Sequence, residues 1–291
     1  MTHGVSSQSL AARLKSRHPV FGAWTSLGHP SITEMFTRSG VDFIGIDLEH
    51  STISQEQAQR LIAASQAAGV ACLPRLASHN KEQASRLLDS GADGLIVPNV
   101  TTVVQAVQAV EWCTYPPLGK RSYGVARAQG YGVSFEEYAA TWNERAALLL
   151  QIESLQGVEA IEELLRLDAV SGVMIGPYDL SGSLGIPGQL EHPRVRSACA
   201  RVIKACREAR KACGTQLIEP AEANIAAAFA RGYTFVVLAS DVFVLWKWAE
   251  RMRVLVAALR QNKRRSSRRV PAGRWGVGSH VQSMRLPREE T

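Results

Sequence analysis

Two acidic residues, Glu153 and Asp179, each close a short apolar run: Leu148-Leu149-Leu150-Gln151-Ile152 precedes the first, and Gly172-Val173-Met174-Ile175-Gly176-Pro177-Tyr178 precedes the second. Two converging carboxylates can share a hard divalent ion and leave part of its shell open to substrate oxygens. Between the runs, Val158, Ile161, Leu164 and Leu165 recur at helical spacing, so 148–180 reads as strand, helix, strand. Parallel strands joined by a helix point the same way, which brings both carboxylates to one end of neighbouring strands.

The elements around this unit repeat it. Strands are expected at Val20–Thr25, Phe43–Asp47, Ala71–Arg75, Gly94–Pro98, Gly214–Glu219 and Thr234–Ser240. Helices are expected at Ser31–Ser39, Gln55–Ala68, Glu82–Ser90, Val103–Trp112, Val195–Ala212, Ala221–Arg231 and Val244–Leu259, several of them closed by glycine, and a short helix ends near Leu14. Thr114–Gly132 and Ser181–Pro193 are long loops, a feature that usually serves function. Eight strands alternating with helices over about 250 residues is the size and count of an α/β protein with a (β/α)8 TIM barrel. The strand ends offer neither GxGxxG nor GxxxxGKS, which argues against a nucleotide-binding open sheet.

In a barrel the strand ends share one mouth. That gathers Asp47, Glu49 and His50 after the second strand, Arg75 after the third, Gln151 and Glu153 after the fifth and Asp179 after the sixth. A carboxylate pair suited to Mg²⁺ or Mn²⁺, an arginine for an oxyanion and a histidine for proton transfer are the parts needed to make an enolate. Singly, each has a plainer reading: a helix cap, an ion-pair partner or a hydrogen-bonded histidine.

Composition narrows the setting. No apolar run approaches the roughly 20 residues of a membrane span, and Met1–Ser9 lacks a signal-peptide pattern, so a cytoplasmic location is expected. The five cysteines include no CxxC pair; Cys199, Cys206 and Cys213 recur every seventh residue, which on one helix gives one face, and buried thiols in a reducing compartment fit better than zinc. The net charge of +7 is carried entirely by residues from Arg260 onward, where nine basic side chains meet two glutamates. The expected organisation is a barrel domain over 1–261 and a basic, disordered tail over 262–291, with a polyanion or membrane-surface contact of the tail as the minor alternative.

The stretches Ile46-Asp47-Leu48-Glu49-His50, Pro74-Arg75, Tyr115-Pro116-Pro117-Leu118-Gly119-Lys120-Arg121, Gln151-Ile152-Glu153-Ser154 and Ile175-Gly176-Pro177-Tyr178-Asp179-Leu180-Ser181 resemble the HpcH/HpaI aldolase family, in order, across Val20–Leu259. The resemblance implies a phosphoenolpyruvate/pyruvate-type barrel and a class II pyruvate aldolase that reversibly cleaves a 4-hydroxy-2-oxo acid to pyruvate and an aldehyde. It implies that Glu153 and Asp179 bind the metal (Mg²⁺ or Mn²⁺, with Co²⁺ as a third option), and that Arg75 contacts the keto oxygen beside Gln151. His50 is implied to move protons with Asp89 as its acid partner. Backbone amides around Gly176 to Asp179, in the Gly176-Pro177-Tyr178-Asp179 turn, are implied to hold the pyruvate carboxylate, while Asp47 and Glu49 support the site.

Two departures bear on substrate choice: Tyr178 replaces a residue that is small in many members, and Ser51-Thr52 after His50 differs from others. Arg121, Tyr123, Arg127 and Tyr131 in the long loop are placed either at the distal end of the substrate or in a subunit contact. A homo-oligomer, trimer or hexamer, is implied, with Trp246 and Trp248 suited to an interface. The partner expected is a small 2-oxo acid, with no membrane and with nucleic acid disfavoured. The competing classes are an acyl-CoA lyase or thioesterase of the related citrate lyase beta/malyl-CoA lyase type, and a non-catalytic protein with a polyanion-binding tail.

Overall fold

A computed structural model describes residues 8–267. The chain opens with α1 (Leu10–Ser16), β1 (Val20–Thr25), α2 (Pro30–Thr37), β2 (Phe43–Asp47), α3 (Gln55–Ala67), β3 (Ala71–Arg75), α4 (Lys81–Asp89) and β4 (Gly94–Val97). After α5 (Val103–Cys113) come a 3-10 segment (Arg127–Gly132), α6 (Phe135–Arg145), β5 (Ala147–Ile152), the short α7 (Leu155–Glu159) and α8 (Ile161–Leu164), and β6 (Gly172–Ile175). The last third holds α9 (Pro177–Ser183), α10 (Pro193–Glu208), β7 (Ala212–Leu217), α11 (Glu222–Arg231), β8 (Phe235–Ser240) and α12 (Asp241–Ser267). All eight strands pair in parallel with their sequence neighbours, and β8 returns to β1, closing the barrel.

Two apolar layers hold it. Outward-facing Ile44, Cys72, Leu95, Leu148, Leu150, Val173 and Val236 pack beneath the helices. Inside lie Trp24, Phe43, Leu73, Ile96, Leu149, Met174, Phe235 and Val237, the alternation with period two that a barrel strand requires. Leu10, Ala11 and Leu14 of α1 join this inner cluster and close the end of the barrel where the strands begin. Large and small residues alternate within it: a methyl on Gly45 would fall 2.3 Å from Trp24 Cε3, so the bare glycine is what admits the indole.

At the same end, one device recurs four times. The side chain just before each even strand accepts the amide of the second residue of the preceding odd strand: Phe21 N to Asp42 Oδ2 at 2.8 Å, Cys72 N to Asp93 Oδ2 at 2.9 Å, Leu148 N to Ser171 Oγ at 3.2 Å and Cys213 N to Thr234 Oγ1 at 3.0 Å. Each donates its own amide back to the same residue's carbonyl, at 2.7–2.9 Å. Every pair therefore closes a ring of two hydrogen bonds at the base of the sheet.

Several boundaries differ from expectation. The stretch Phe135–Arg145 is a helix, anchored where Trp142 Nε1 donates to the Cys113 carbonyl at 2.7 Å; its sparse apolar residues do not announce it. Cys213 lies on β7 rather than on α10 with Cys199 and Cys206, because β7 begins at Ala212, whose amide already bonds the Ser171 carbonyl. The helix between β5 and β6 is split into α7 and α8, and β6 ends at Ile175, so that residues 177–179, expected at the end of a strand, and 181–183, expected as loop, both belong to α9. The chain divides into one unit ending at Trp246 and a second beginning at Lys247, with α12 continuous through the boundary and through 262–267, which the sequence assigns to the tail. The rest of that tail lies outside the described residues. No helix among the described residues is long and apolar enough to cross a membrane.

Candidate active site

The mouth is built around Arg75, the last residue of β3. Its Nη2 and Nε donate to Asp47 Oδ1 at 2.7 and 3.2 Å, and its guanidinium lies 5.1 Å over the Trp24 ring. Nη1 reaches toward Gln151 Oε1 at 3.5 Å and Glu49 Oε2 at 3.2 Å. Three strand ends and one aromatic face thus fix a nearly buried cation, the combination of stacking and forked donors in which arginine is not replaceable by lysine.

Asp47 is the anchor of that cation. Burial pushes its carboxyl up, but the Arg75 charge and hydrogen bonds, with the amides of His50 and Glu49 at 3.1 Å, outweigh it and hold the group below the usual carboxylate range. Ser51 Oγ in turn donates to the Asp47 carbonyl, pinning the turn that carries Glu49 and His50. His50 projects outward with its side chain 69% exposed, its Nε2 3.8 Å from Glu49 Oε2.

The carboxylates beyond Arg75 are poorly matched. Glu49 Oε2 is buried and has no aligned hydrogen-bond donor, the contact with Arg75 being close but off-axis; burial raises its carboxyl above its ordinary value against the pull of Arg75. Glu153, just past β5, is pushed up to about 7, first by burial and then by the charge of Glu49, with Asp179 adding to the repulsion; the Asn99 amide, 3.3 Å from Oε1, offsets only part. A methyl on Gly176 would sit 3.1 Å from Glu153 Cγ, 3.5 Å from Asp179 Oδ2 and 3.6 Å from Gln151 Nε2. Those three side chains therefore converge over one bare Cα.

This tests the fit of a cation. Among the described residues, no group of three or more His, Cys, Asp and Glu side chains is arranged to hold a metal ion. Glu153 and Asp179 nevertheless leave the mouth short of positive charge, with an orphaned carboxylate oxygen beside them. A two-carboxylate donor set completed by water and substrate oxygens suits a hard divalent ion.

Two expected residues are placed differently. Asp179 is not at a strand end but in the first turn of α9, two residues after Pro177. Of the anion-binding backbone, Pro177 has no N–H and the Gly176 amide is taken by the Ile152 carbonyl at 3.0 Å. The donors left by position in the helix are Tyr178 and Asp179, since first-turn amides have no intrahelical partner. Asp89 does not meet His50 within this chain: it ends α4, at the base of the barrel, where its Oδ1 pairs with Arg121 Nη2 at 3.0 Å. Arg121 is itself wedged between Tyr115, Tyr138 and Trp142, 4.6–5.4 Å from their ring centres, which places it at the base within this chain.

Two residues escaped the sequence reading. Asn99, after β4, takes φ of +44°, which turns its amide toward Glu153; asparagine tolerates that region better than most residues. Asp241, after β8, is buried and collects backbone amides from the loop following β1. A Pro-Asn pair at a strand end is a faint signal for the first, and nothing local marks the second.

The sequence model of the HpcH/HpaI aldolase/citrate lyase family matches residues 20–247 of this chain, and the chain belongs to that family. It is 34% identical over 240 residues to a hydroxypyruvate/pyruvate aldolase of Paraburkholderia phytofirmans, covering 80% of this chain and 91% of the relative. It is 35% identical over 225 residues to a 2-keto-3-deoxy-L-rhamnonate aldolase of Klebsiella pneumoniae, covering 77% and 83%. The crystal structure of an HpcH/HpaI aldolase/citrate lyase family protein from Burkholderia cenocepacia superposes with a TM-score of 0.79 at 30% identity, over 85% of this chain and 98% of that one. The chain thus stands among aldolases and related lyases.

Proposed function

We propose that this protein is a divalent-metal-dependent aldolase that reversibly cleaves a 4-hydroxy-2-oxo acid to pyruvate and an aldehyde. The observation that carries the reading is the convergence of Glu153, Asp179 and Gln151 over Gly176 beside a clamped Arg75, with Glu153 pushed up to about 7. The relatives named aldolases of hydroxypyruvate/pyruvate and of 2-keto-3-deoxy-L-rhamnonate support a 2-oxo acid as substrate class.

Glu153 and Asp179 are the residues that would hold Mg²⁺, Mn²⁺ or Co²⁺, which when bound supplies Lewis-acid neutralisation of charge on the 2-oxo acid. The amides of Tyr178 and Asp179 receive the substrate carboxylate. Arg75 donates to the keto oxygen, with Asp47 and Trp24 fixing its plane and Gln151 lining the same wall. His50 takes the proton of the 4-hydroxyl; the C3–C4 bond then breaks, the aldehyde departs, and the bonding pair passes to the pyruvate enolate, whose oxygen lies against Arg75; return of one proton to C3 gives pyruvate and restores the neutral imidazole. An arginine already held in place needs little reorganisation when that charge appears. An acid partner for His50 at Asp89 requires a second copy of the chain, which belongs to the same proposal as a homo-oligomer, trimer or hexamer. Half-exposed Trp246 and Trp248 agree with it.

The test is pyruvate release, coupled to lactate dehydrogenase, from a panel of 4-hydroxy-2-oxo acids in EDTA, Mg²⁺ or Mn²⁺, with the native chain and Glu153→Ala. Release that needs the ion and falls by about 10³-fold or more in the variant is expected. Release that survives both EDTA and the substitution would sink the reading.

A further inference from the structure

β1 and β8 begin in register, Val20 opposite Phe235 and Gly22 opposite Val237, but Trp24 then faces Ser240. β8 thus carries one residue more than its partner, and the irregularity falls where Ala239 takes φ of +64°, a left-handed conformation that a residue with a Cβ rarely adopts. The Ala239 carbonyl is propped by Gln216 Nε2 at 3.3 Å. A bulge of this kind re-aims the residues that follow it, and the second of these is Asp241.

The Asp241 side chain is committed almost wholly to a distant loop. Both oxygens accept from the Ser26 amide at 3.0 Å, and Oδ2 accepts from Leu27 N at 2.9 Å. Only the bond from Val242 N, at 2.8 Å, serves its own helix. A residue that merely capped α12 would need no partner some two hundred positions away. The Ser26–Leu27 turn it holds follows directly on β1 and reaches one half of the clamped ion pair, Asp47, while the strand before it carries the residue that reaches the other. Ser26 Oγ donates to Asp47 Oδ2 at 3.4 Å, and Trp24, two residues earlier, lies under the Arg75 guanidinium.

We propose that Asp241 is a positioning residue that sets the Arg75–Asp47 pair through the Ser26–Leu27 turn. The inference rests on the reading of Arg75 as the donor to the keto oxygen. Asp241 itself meets no reacting atom. Its removal frees the turn, and with it the indole and hydroxyl that keep the guanidinium in one plane.

The experiment reads the arginine directly. Native chain, Asp241→Ala, Asp241→Asn and Ser26→Ala are treated with phenylglyoxal below their melting temperatures, and the rate of modification at Arg75 and Arg121 is mapped by peptide mass spectrometry. Arg121 is the internal control, also buried, more deeply than Arg75 (2% exposed against 8%), and at the other end of the barrel, so the change in each rate relative to the native chain is what is compared. Modification at Arg75 should quicken several-fold in Asp241→Ala and less in the other two, with Arg121 unchanged. In the pyruvate-release assay kcat/KM should fall about tenfold, with KM for the oxo acid rising, as small displacements of a substrate-binding group do. If Asp241→Ala does not fold, Asp241→Asn, which keeps one acceptor oxygen, and Ser26→Ala decide the matter. An unchanged Arg75 rate in the folded variants overturns the proposal, and so does an equal rise at both arginines, which would mean general loosening. Should the native chain release no pyruvate, the aldolase reading fails, while the modification rates still judge the positioning role.

Discussion

The two ends of this barrel differ in how they hold their acidic side chains. At the base, Asp42, Asp93, Ser171 and Thr234 each meet a strand amide, and apolar α1 closes the end beneath them. At the mouth, Glu49 Oε2 is buried without an aligned donor, 3.2 Å from the Arg75 charge it shares with Asp47, and Glu153 sits against two other carboxylates. Matched groups contribute to stability, whereas unmatched charges detract from it until a ligand arrives. The base pairings therefore add to the stability of the fold, while Glu153 at the mouth detracts from it.

That contrast can be broken at three points. The largest effect is expected at Arg75: Arg75→Lys keeps the charge but loses the fork to Asp47 and the stacking on Trp24, and kcat/KM for pyruvate release should drop by about 10²-fold or more while the melting temperature changes little. A variant that retained full activity would remove the clamp from the chemistry.

Next comes the cost of the unmatched carboxylate, measured by thermal melting in EDTA. The Glu153 carboxyl stands at about 7 in the folded chain against an ordinary 4.5, so between those pH values the folded form holds a proton that the unfolded form has lost. Its contribution to stability therefore falls as pH rises from 4.5 to 7 and stays lost above. Glu153→Gln should stabilise the metal-free protein at pH 8 by on the order of 2–3 kcal/mol and do nothing near pH 4, while abolishing pyruvate release. Equal melting of both proteins at pH 8 would show that the mouth carries no such burden.

The smallest effect belongs to the base. Ser171→Ala leaves the Leu148 amide buried without its side-chain acceptor and should cost about 1 kcal/mol, a few degrees in melting temperature, with kcat/KM unchanged. A change in kcat/KM there would blur the division between the ends.

The same contrast explains what was legible in the sequence. The strands of the barrel and the residues at their ends follow from apolar runs and glycine stops, so Asp47, Arg75, Gln151 and Glu153 could be placed at one mouth before any coordinates. Helix α6 was not legible, because its contact with the barrel is concentrated in Trp142, one buried side chain in eleven residues. Asp89 lies away from His50 within one chain for a geometric reason: a helix carries its last residue to the opposite end of the barrel from its first. Asp241 could not be found at all, since its partners lie in β1's loop and its aim depends on a strained alanine in a strand that otherwise looks regular.

The four base pairings have a consequence for how the chain can be cut. Each ring of hydrogen bonds joins β1 to β2, β3 to β4, β5 to β6 or β7 to β8, and none joins an even strand to the odd strand that follows. New termini placed between β2 and β3, β4 and β5, or β6 and β7 would sever no ring, and at the base of the last two seams the links are the single bonds from Ala147 N to the Asp93 carbonyl and from Ala212 N to the Ser171 carbonyl. Fragments that end at those seams carry every base clasp intact, which makes them the natural pieces for permuting the chain or reassembling it from halves.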